Sequence, residues 1–257
     1  MTQDDIQLAQ RLADAAGAAI RPFFRDSFRS ERKGDASPVT EADRAAEAAM
    51  RAILEAERPN DGIVGEEFGT VREDASRQWV LDPIDGTRSF MTGRPIFGTL
   101  VALLEAGRPV LGVIDQPILN ERWIGAEGVP TTFNGAPVRT RPCGILDDAH
   151  LGTTSPYLFQ QDERARFEAV ADACANLVLG GDCYSYALLG MGQLDLVIES
   201  GLQLYDFAAL VPVVEGAGGV MRDWQGNPLG AGSVGQVIAA GDAALLPLVL
   251  SRLQDAA

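Results

Sequence analysis

Trp79-Val80-Leu81-Asp82-Pro83-Ile84-Asp85-Gly86-Thr87 decides how the rest of the chain is read. The apolar triplet Trp79 to Leu81 predicts a strand that stops abruptly at Asp82. Pro83 fixes a rigid turn, so two carboxylates and the Ile84 carbonyl can face one point. Gly86 lets the backbone approach a ligand closely, and free N–H groups at a helix start near Thr87 suit a phosphate. Upstream, the periodicity predicts helices over 4–29 and 41–57, the second opened by Thr40 with Asp43 as a capping box. A short strand, Ile63-Val64, leads into Gly65-Glu66-Glu67-Phe68-Gly69. Downstream, apolar runs between turn residues over 96–124 predict an antiparallel meander.

The second half alternates. Strands are expected at 149–153, 177–179, 194–198 and 236–239, and helices at 162–176, 183–192, 206–217 and 242–254. Pro212 should kink or shorten the third of these helices. Such alternation indicates a layered α/β protein. A tight boundary near 140–148 would divide it into halves 1–143 and 144–257.

Composition excludes several chemistries. The 257 residues carry a net charge of −15 and no basic stripe with interleaved aromatics, which argues against nucleic acid as a partner. No apolar run is long enough to span a membrane, and the acidic start lacks the features of a secretory signal, so a cytoplasmic location is expected. Cys143, Cys174 and Cys183 form neither a disulfide framework nor a metal pair. The single histidine, His150, cannot build a multi-histidine zinc site and reads as a surface or turn residue. Gly230-Ala231-Gly232-Ser233-Val234-Gly235 fits GxGxxG, but it has no strand before it and no helix after it, so it reads as a glycine-rich loop. Catalysis must therefore come mainly from carboxylates, hydroxyls and backbone.

Three acidic clusters follow or abut apolar strands: Glu66-Glu67, Asp82 with Asp85, and Asp206. Side chains at strand ends can converge at one rim of a sheet. Oxygen-only ligands of this kind suit Mg²⁺, Mn²⁺ or Ca²⁺ rather than zinc. Without cations, crowding them would cost heavily through like-charge repulsion.

The set Gly65-Glu66-Glu67, Leu81-Asp82-Pro83-Ile84-Asp85-Gly86-Thr87-Arg88-Ser89-Phe90 and Tyr205-Asp206-Phe207-Ala208-Ala209 resembles the signatures of the inositol monophosphatase superfamily. Lys33-Gly34-Asp35 and Val39-Thr40-Glu41-Ala42-Asp43 match its N-terminal pattern. The resemblance runs from about residue 5 to 250. Ser89 and Tyr205 stand where Asn and Trp are usual; with Gly180-Gly181-Asp182-Cys183-Tyr184 they resemble the bacterial histidinol-phosphatase branch.

The resemblance implies a five-layer αβαβα sandwich of the kind shared with fructose-1,6-bisphosphatase. It implies two or three Mg²⁺ ions, with Mn²⁺ able to substitute, on Glu66, Asp82, Asp85, Asp206 and the Ile84 carbonyl, Asp82 bridging two. Asp43 and Thr87 would orient an attacking water, with Glu66 assisting. Asp85, Gly86 and Thr87 would receive the phosphate, and Asp182, Cys183, Glu199 and Asp206 the rest of the substrate. The implied reaction is in-line attack of metal-activated water on a small phosphate monoester, histidinol phosphate first, with no phosphoenzyme. Inositol phosphate, nucleotide bisphosphates and sugar phosphates are the alternatives within the superfamily. A cation-binding protein without turnover is the alternative outside it. Lithium sensitivity and a homodimer are further implications.

Overall fold

The structure, a computed structural model, describes residues 1–25, 30–32 and 38–255, with side chains at 1–25, 41–160 and 162–254. Lys33, Gly34, Asp35 and the side chain of Thr40 lie outside the described residues. Helix α1 (Gln3–Ile20) opens with a reciprocal capping box between Thr2 and Asp5. It ends earlier than the expected 4–29 because Arg21-Pro22-Phe23 tightens into a 3₁₀ turn. Pro22 has no N–H to continue the ladder, and its ring crowds the preceding turn.

A hairpin, β1 (Ser30–Arg32) and β2 (Pro38–Thr40), precedes α2 (Glu41–Glu57), which has the expected bounds. There follow β3 (Gly62–Gly65), β4 (Gly69–Val71), β5 (Arg77–Asp85), the short helix α3 (Thr87–Met91), β6 (Gly98–Glu105), β7 (Arg108–Gln116), β8 (Glu121–Ala126), β9 (Val129–Phe133) and β10 (Ala136–Pro137). These strands form one sheet in the order β10-β9-β8-β7-β6-β5-β3-β4. The meander β6-β7-β8 is antiparallel as expected, and only β3 and β5 run parallel.

The second half supplies β11 (His150–Thr153), α4 (Gln161–Ala171), β12 (Asn176–Leu179), α5 (Asp182–Gly190), β13 (Leu196–Glu199), α6 (Leu204–Phe207), α7 (Leu210–Gly216), β14 (Val220–Arg222), β15 (Val237–Ala240) and α8 (Leu245–Asp255). Its sheet runs β12-β11-β13-β15-β14. His150 is half-buried at the start of β11, rather than in a turn. The helix expected over 206–217 is two helices. Pro212 is the cause: its ring would strike the carbonyl four residues back, at Ala208, where the break occurs.

The layers follow from side-chain alternation. On β6, Val101 and Leu103 face α1 and α2, whereas Leu100, Ala102 and Leu104 face α5 and α7. A strand covered on both faces reads as a continuous apolar run. The middle helices share their core with Val197 and Ala239 of the second sheet. Phe167 and Val170 of α4, with Val249 and Leu253 of α8, cover that sheet's far face. The result is the expected αβαβα sandwich. Gly112 and Gly125 let α7 lie directly on β7 and β8, since a Cβ at either would collide with the Ala209 or Pro212 carbonyl.

Candidate active site

β5 does not end at Asp82; it runs through Asp85. In a regular strand Asp82 and Asp85, three apart, would point to opposite faces. The ladder with β6 slips between Asp82, opposite Leu100, and Asp85, opposite Gly98, so β5 holds one extra residue there. That bulge restores the parity and turns both carboxylates to one side. Its loosened backbone groups find partners. Thr99 Oγ1 donates to the Pro83 carbonyl at 2.7 Å, and the Ile84 N–H donates to Asp82 Oδ1 at 3.1 Å.

Asp206, on α6, completes the cluster. Single carboxylate oxygens of Asp82, Asp85 and Asp206 lie within 4.8 Å of one another. Two of these carboxylates are also anchored by backbone: Asp85 Oδ2 accepts the Cys183 N–H at 2.6 Å, and Asp206 Oδ2 the Gln203 N–H at 2.6 Å. Asp206 thus caps its helix and still offers an oxygen to the cluster. Glu66 stands outside this tightest trio but acts electrostatically on both Asp82 and Asp206, and Asp43 acts on Asp82. Thr87 Oγ1 donates to the Ile84 carbonyl at 3.1 Å, which leaves its lone pairs to accept a further hydrogen bond.

Burial, then like charge from Glu66, Asp85, Asp206 and Asp43, pushes Asp82 well above the usual carboxylate range. Burial, with Asp182 and Asp206, does the same to Asp85. Asp206 is raised to about 7 by burial and by Glu66, Glu199 and Asp182, against the lowering effect of the Gln203 N–H. Protons satisfy such a cluster poorly; a hard divalent cation satisfies it well. The donors are all carboxylate or carbonyl oxygens, so the residues fit a divalent metal of that class.

A cavity of about 250 Å³ adjoins the cluster, bordered by Asp85, Asp182, Cys183, Glu199 and Asp206. Gly180, Gly181 and Asp182 all have positive φ (87°, 115° and 45°), which swings Asp182 onto Gly86. A Cβ on Gly86, itself at φ 86°, would come within 2.7 Å of Asp182 Oδ2. Ser89 Oγ donates to that same oxygen at 3.0 Å. Burial raises Asp182, with Ser89, Arg94 and Arg88 pulling the other way. Glu199 accepts the Thr154 N–H at 2.8 Å and the Tyr186 hydroxyl at 2.9 Å, and burial nonetheless raises it.

Cys183 borders the cavity, but its thiol is buried against Gly98. What it gives the site is its amide. Tyr186 and Thr154 escaped the sequence reading, since nothing near them in the chain marks them as partners of Glu199. A larger groove of about 620 Å³ lies between α1 and the β8–β9 region, and its acids Asp14 and Asp115 converge on an arginine. Its Arg122 is already paired with Asp115 and Asp14.

The profile of the Inositol monophosphatase family matches residues 1–256. The chain belongs to the inositol monophosphatase family. Within that family it is a phosphatase with an acidic cluster able to hold divalent metal. It is 54% identical over 84% of its length to the chloroplastic bifunctional phosphatase IMPL2 of Arabidopsis thaliana, and spans 63% of that protein. To the histidinol-phosphatase of Mycobacterium tuberculosis it is 36% identical, over 98% of this chain and 99% of that one. The solved structure of an inositol monophosphatase from Zymomonas mobilis superposes with a TM-score of 0.91 at 59% identity, covering 98% of both chains.

Proposed function

We propose that this family phosphatase is Mg²⁺-dependent and hydrolyses histidinol phosphate to histidinol and phosphate. The observation that carries the substrate is the acidic wall of the cavity. Asp182 and Glu199 face the same space as Asp85 and Asp206, and histidinol bears an amine and an imidazole. A negative wall favours a cationic alcohol over a neutral polyol. Similarity to histidinol-phosphatases over nearly the whole chain supports the same reading.

In this reading Glu66, Asp82, Asp85, Asp206 and the Ile84 carbonyl hold the cations. When bound, Mg²⁺ supplies neutralisation of the phosphate oxygens and acidification of water. Asp43 and Thr87 orient the attacking water, Thr87 by accepting from it while its own proton is committed to Ile84. Asp85, Gly86 and Thr87 receive the phosphate at the start of α3. Asp182 and Glu199 hold the alcohol half, Glu199 kept in place by Tyr186 and Thr154.

A second reading, inositol phosphate as substrate, draws on the Zymomonas mobilis structure. Phosphate release measured on histidinol phosphate and inositol 1-phosphate in parallel, with and without Mg²⁺, separates them. A higher kcat/KM for inositol phosphate would overturn the histidinol reading, and Mg²⁺-independent release would overturn the metal reading. The homodimer expected from the resemblance is part of this proposal, and sedimentation of the purified chain tests it.

A further inference from the structure

Glu47 is fully buried on α2, one turn after Asp43 and one turn before Arg51. Its Oε2 accepts the Glu67 N–H at 2.7 Å, and its Oε1 accepts the Phe68 N–H at 3.2 Å. Oε1 also takes the Arg51 Nε at 2.7 Å, and Arg51 donates onward to the Gly69 carbonyl. Gly65 completes the clamp, because a Cβ there would collide with the Glu47 carboxylate. Among the described residues, the hydrogen bonds Glu47 makes beyond its own helix therefore go to the turn that carries Glu66.

A buried carboxylate is costly, and an apolar side chain would pack α2 against the sheet equally well. What the carboxylate adds is acceptance of two successive amides, as an anion in a backbone nest does. Those amides belong to the two peptide units that follow Glu66. On the other side the Glu66 N–H reaches the Leu81 carbonyl at 3.3 Å, on β5 next to Asp82. The backbone of Glu66 is thus held from both directions, by β5 and by Glu47.

We propose that Glu47, braced by Arg51, is the positioning residue that aims Glu66 at the cations. This rests on the reading of Glu66 as a cation ligand given above. Partners of this outer kind are worth about 10–100-fold in metal affinity.

The test is Mn²⁺ titration by calorimetry of the intact metal-free chain, comparing wild type, Glu47→Gln, Arg51→Lys and Glu66→Gln. Circular dichroism and thermal melting check folding of each. Glu47→Gln keeps the volume but turns a carboxamide NH₂, a donor, toward one of the two backbone N–H groups. It is expected to bind Mn²⁺ about 10–100-fold more weakly, with kcat recovering at saturating cation. Arg51→Lys keeps the charge but loses the brace on Gly69, and is expected to weaken binding several-fold; it carries the test should Glu47→Gln not fold. A merely structural role would lower the melting temperature and leave the affinity of the folded protein unchanged. Wild-type affinity in both variants, with affinity lost in Glu66→Gln, overturns the role of Glu47. Wild-type affinity in Glu66→Gln overturns the ligand reading itself, and this proposal with it.

Discussion

Asp82 and Asp195 are both almost completely buried, at 1% and 0% exposure, each in or beside a strand of one of the two sheets. They are pushed in opposite directions. At Asp195 burial favours the proton, but the fork of Arg141 (2.7 and 2.6 Å) and the His150 N–H (2.7 Å) outweigh it and hold the carboxyl below its ordinary range. At Asp82 burial acts the same way, and the charged groups that act beside it are Glu66, Asp85, Asp206 and Asp43, all carboxylates. The difference separates an acid used as a strut from a cluster of acids able to hold a divalent cation. A fixed arginine neutralises Asp195; at the rim of the first sheet the neighbouring charges that act on Asp82 are of its own sign.

The largest break in that comparison should come from Asp85→Asn, which keeps the shape and removes one rim charge. Turnover is expected to fall about 10³-fold, as several kcal/mol of transition-state stabilisation are lost. Urea stability of the metal-free variant should not decrease. Phosphate release near the wild-type rate would end the assignment. The converse change is Arg141→Leu, which leaves Asp195 buried without its fork. Arg141 is partly exposed, so water can replace some of the bonding, and the expected loss is about 1–3 kcal/mol in urea unfolding. Activity per folded molecule should hold. If stability is untouched and activity drops, the two regions have been assigned the wrong way round.

How much of this the residues announced depends on how local the cause is. The rim acids were legible because an apolar strand running into Asp-Pro-Ile-Asp is a local pattern. The break in the 206–217 helix was legible for the same reason, through Pro212. The overshoot of α1 came from giving periodicity priority over Pro22. The bulge was not legible: its partners Thr99 and Gly98 lie on another strand, and Asp82 to Asp85 had read as a turn. Glu199 could be picked out as a substrate residue only through the family resemblance; Tyr186 and Thr154, distant in the chain, hold it in place. Glu47 left a trace that went unread. It is a charged letter in the buried stripe Ala42, Asp43, Ala46, Glu47, Met50 and Leu54, four residues after an acid already singled out.

A smaller effect sharpens the comparison inside the site, between the rim and the cavity wall. Asp182 is tied to Ser89 and rests on Gly86, so removing its carboxylate alters the wall while leaving Asp82, Asp85 and Asp206 in place. Asp182→Ala is expected to raise KM for histidinol phosphate about tenfold, the value of one charged contact of about 1.4 kcal/mol. KM for inositol 1-phosphate should change far less. Equal changes for both esters would remove Asp182 from substrate selection.

The smallest effect is the pH dependence of stability, and its sign differs between the two regions. Asp206, at about 7 in the folded chain against an ordinary 3.8, binds a proton between those values that the unfolded chain does not. Its contribution therefore grows as pH falls from 8 towards 5. Asp195 is held low, so its contribution is complete above about 3.8 and is lost only as pH drops through its depressed folded value. In the metal-free chain the stability measured by urea unfolding should rise from pH 7.5 to pH 6, by about 1 kcal/mol for the Asp206 share. Saturating Mg²⁺ should flatten the profile, because the cation replaces the proton as the counter-charge. The net charge of −15 pushes the same way through general repulsion, so Asp206→Asn is the needed control. That variant should keep the general slope and lose the Asp206 share. If its profile matches the wild type, or if Mg²⁺ leaves the wild-type slope intact, Asp206 is not among the acids poised between proton and cation.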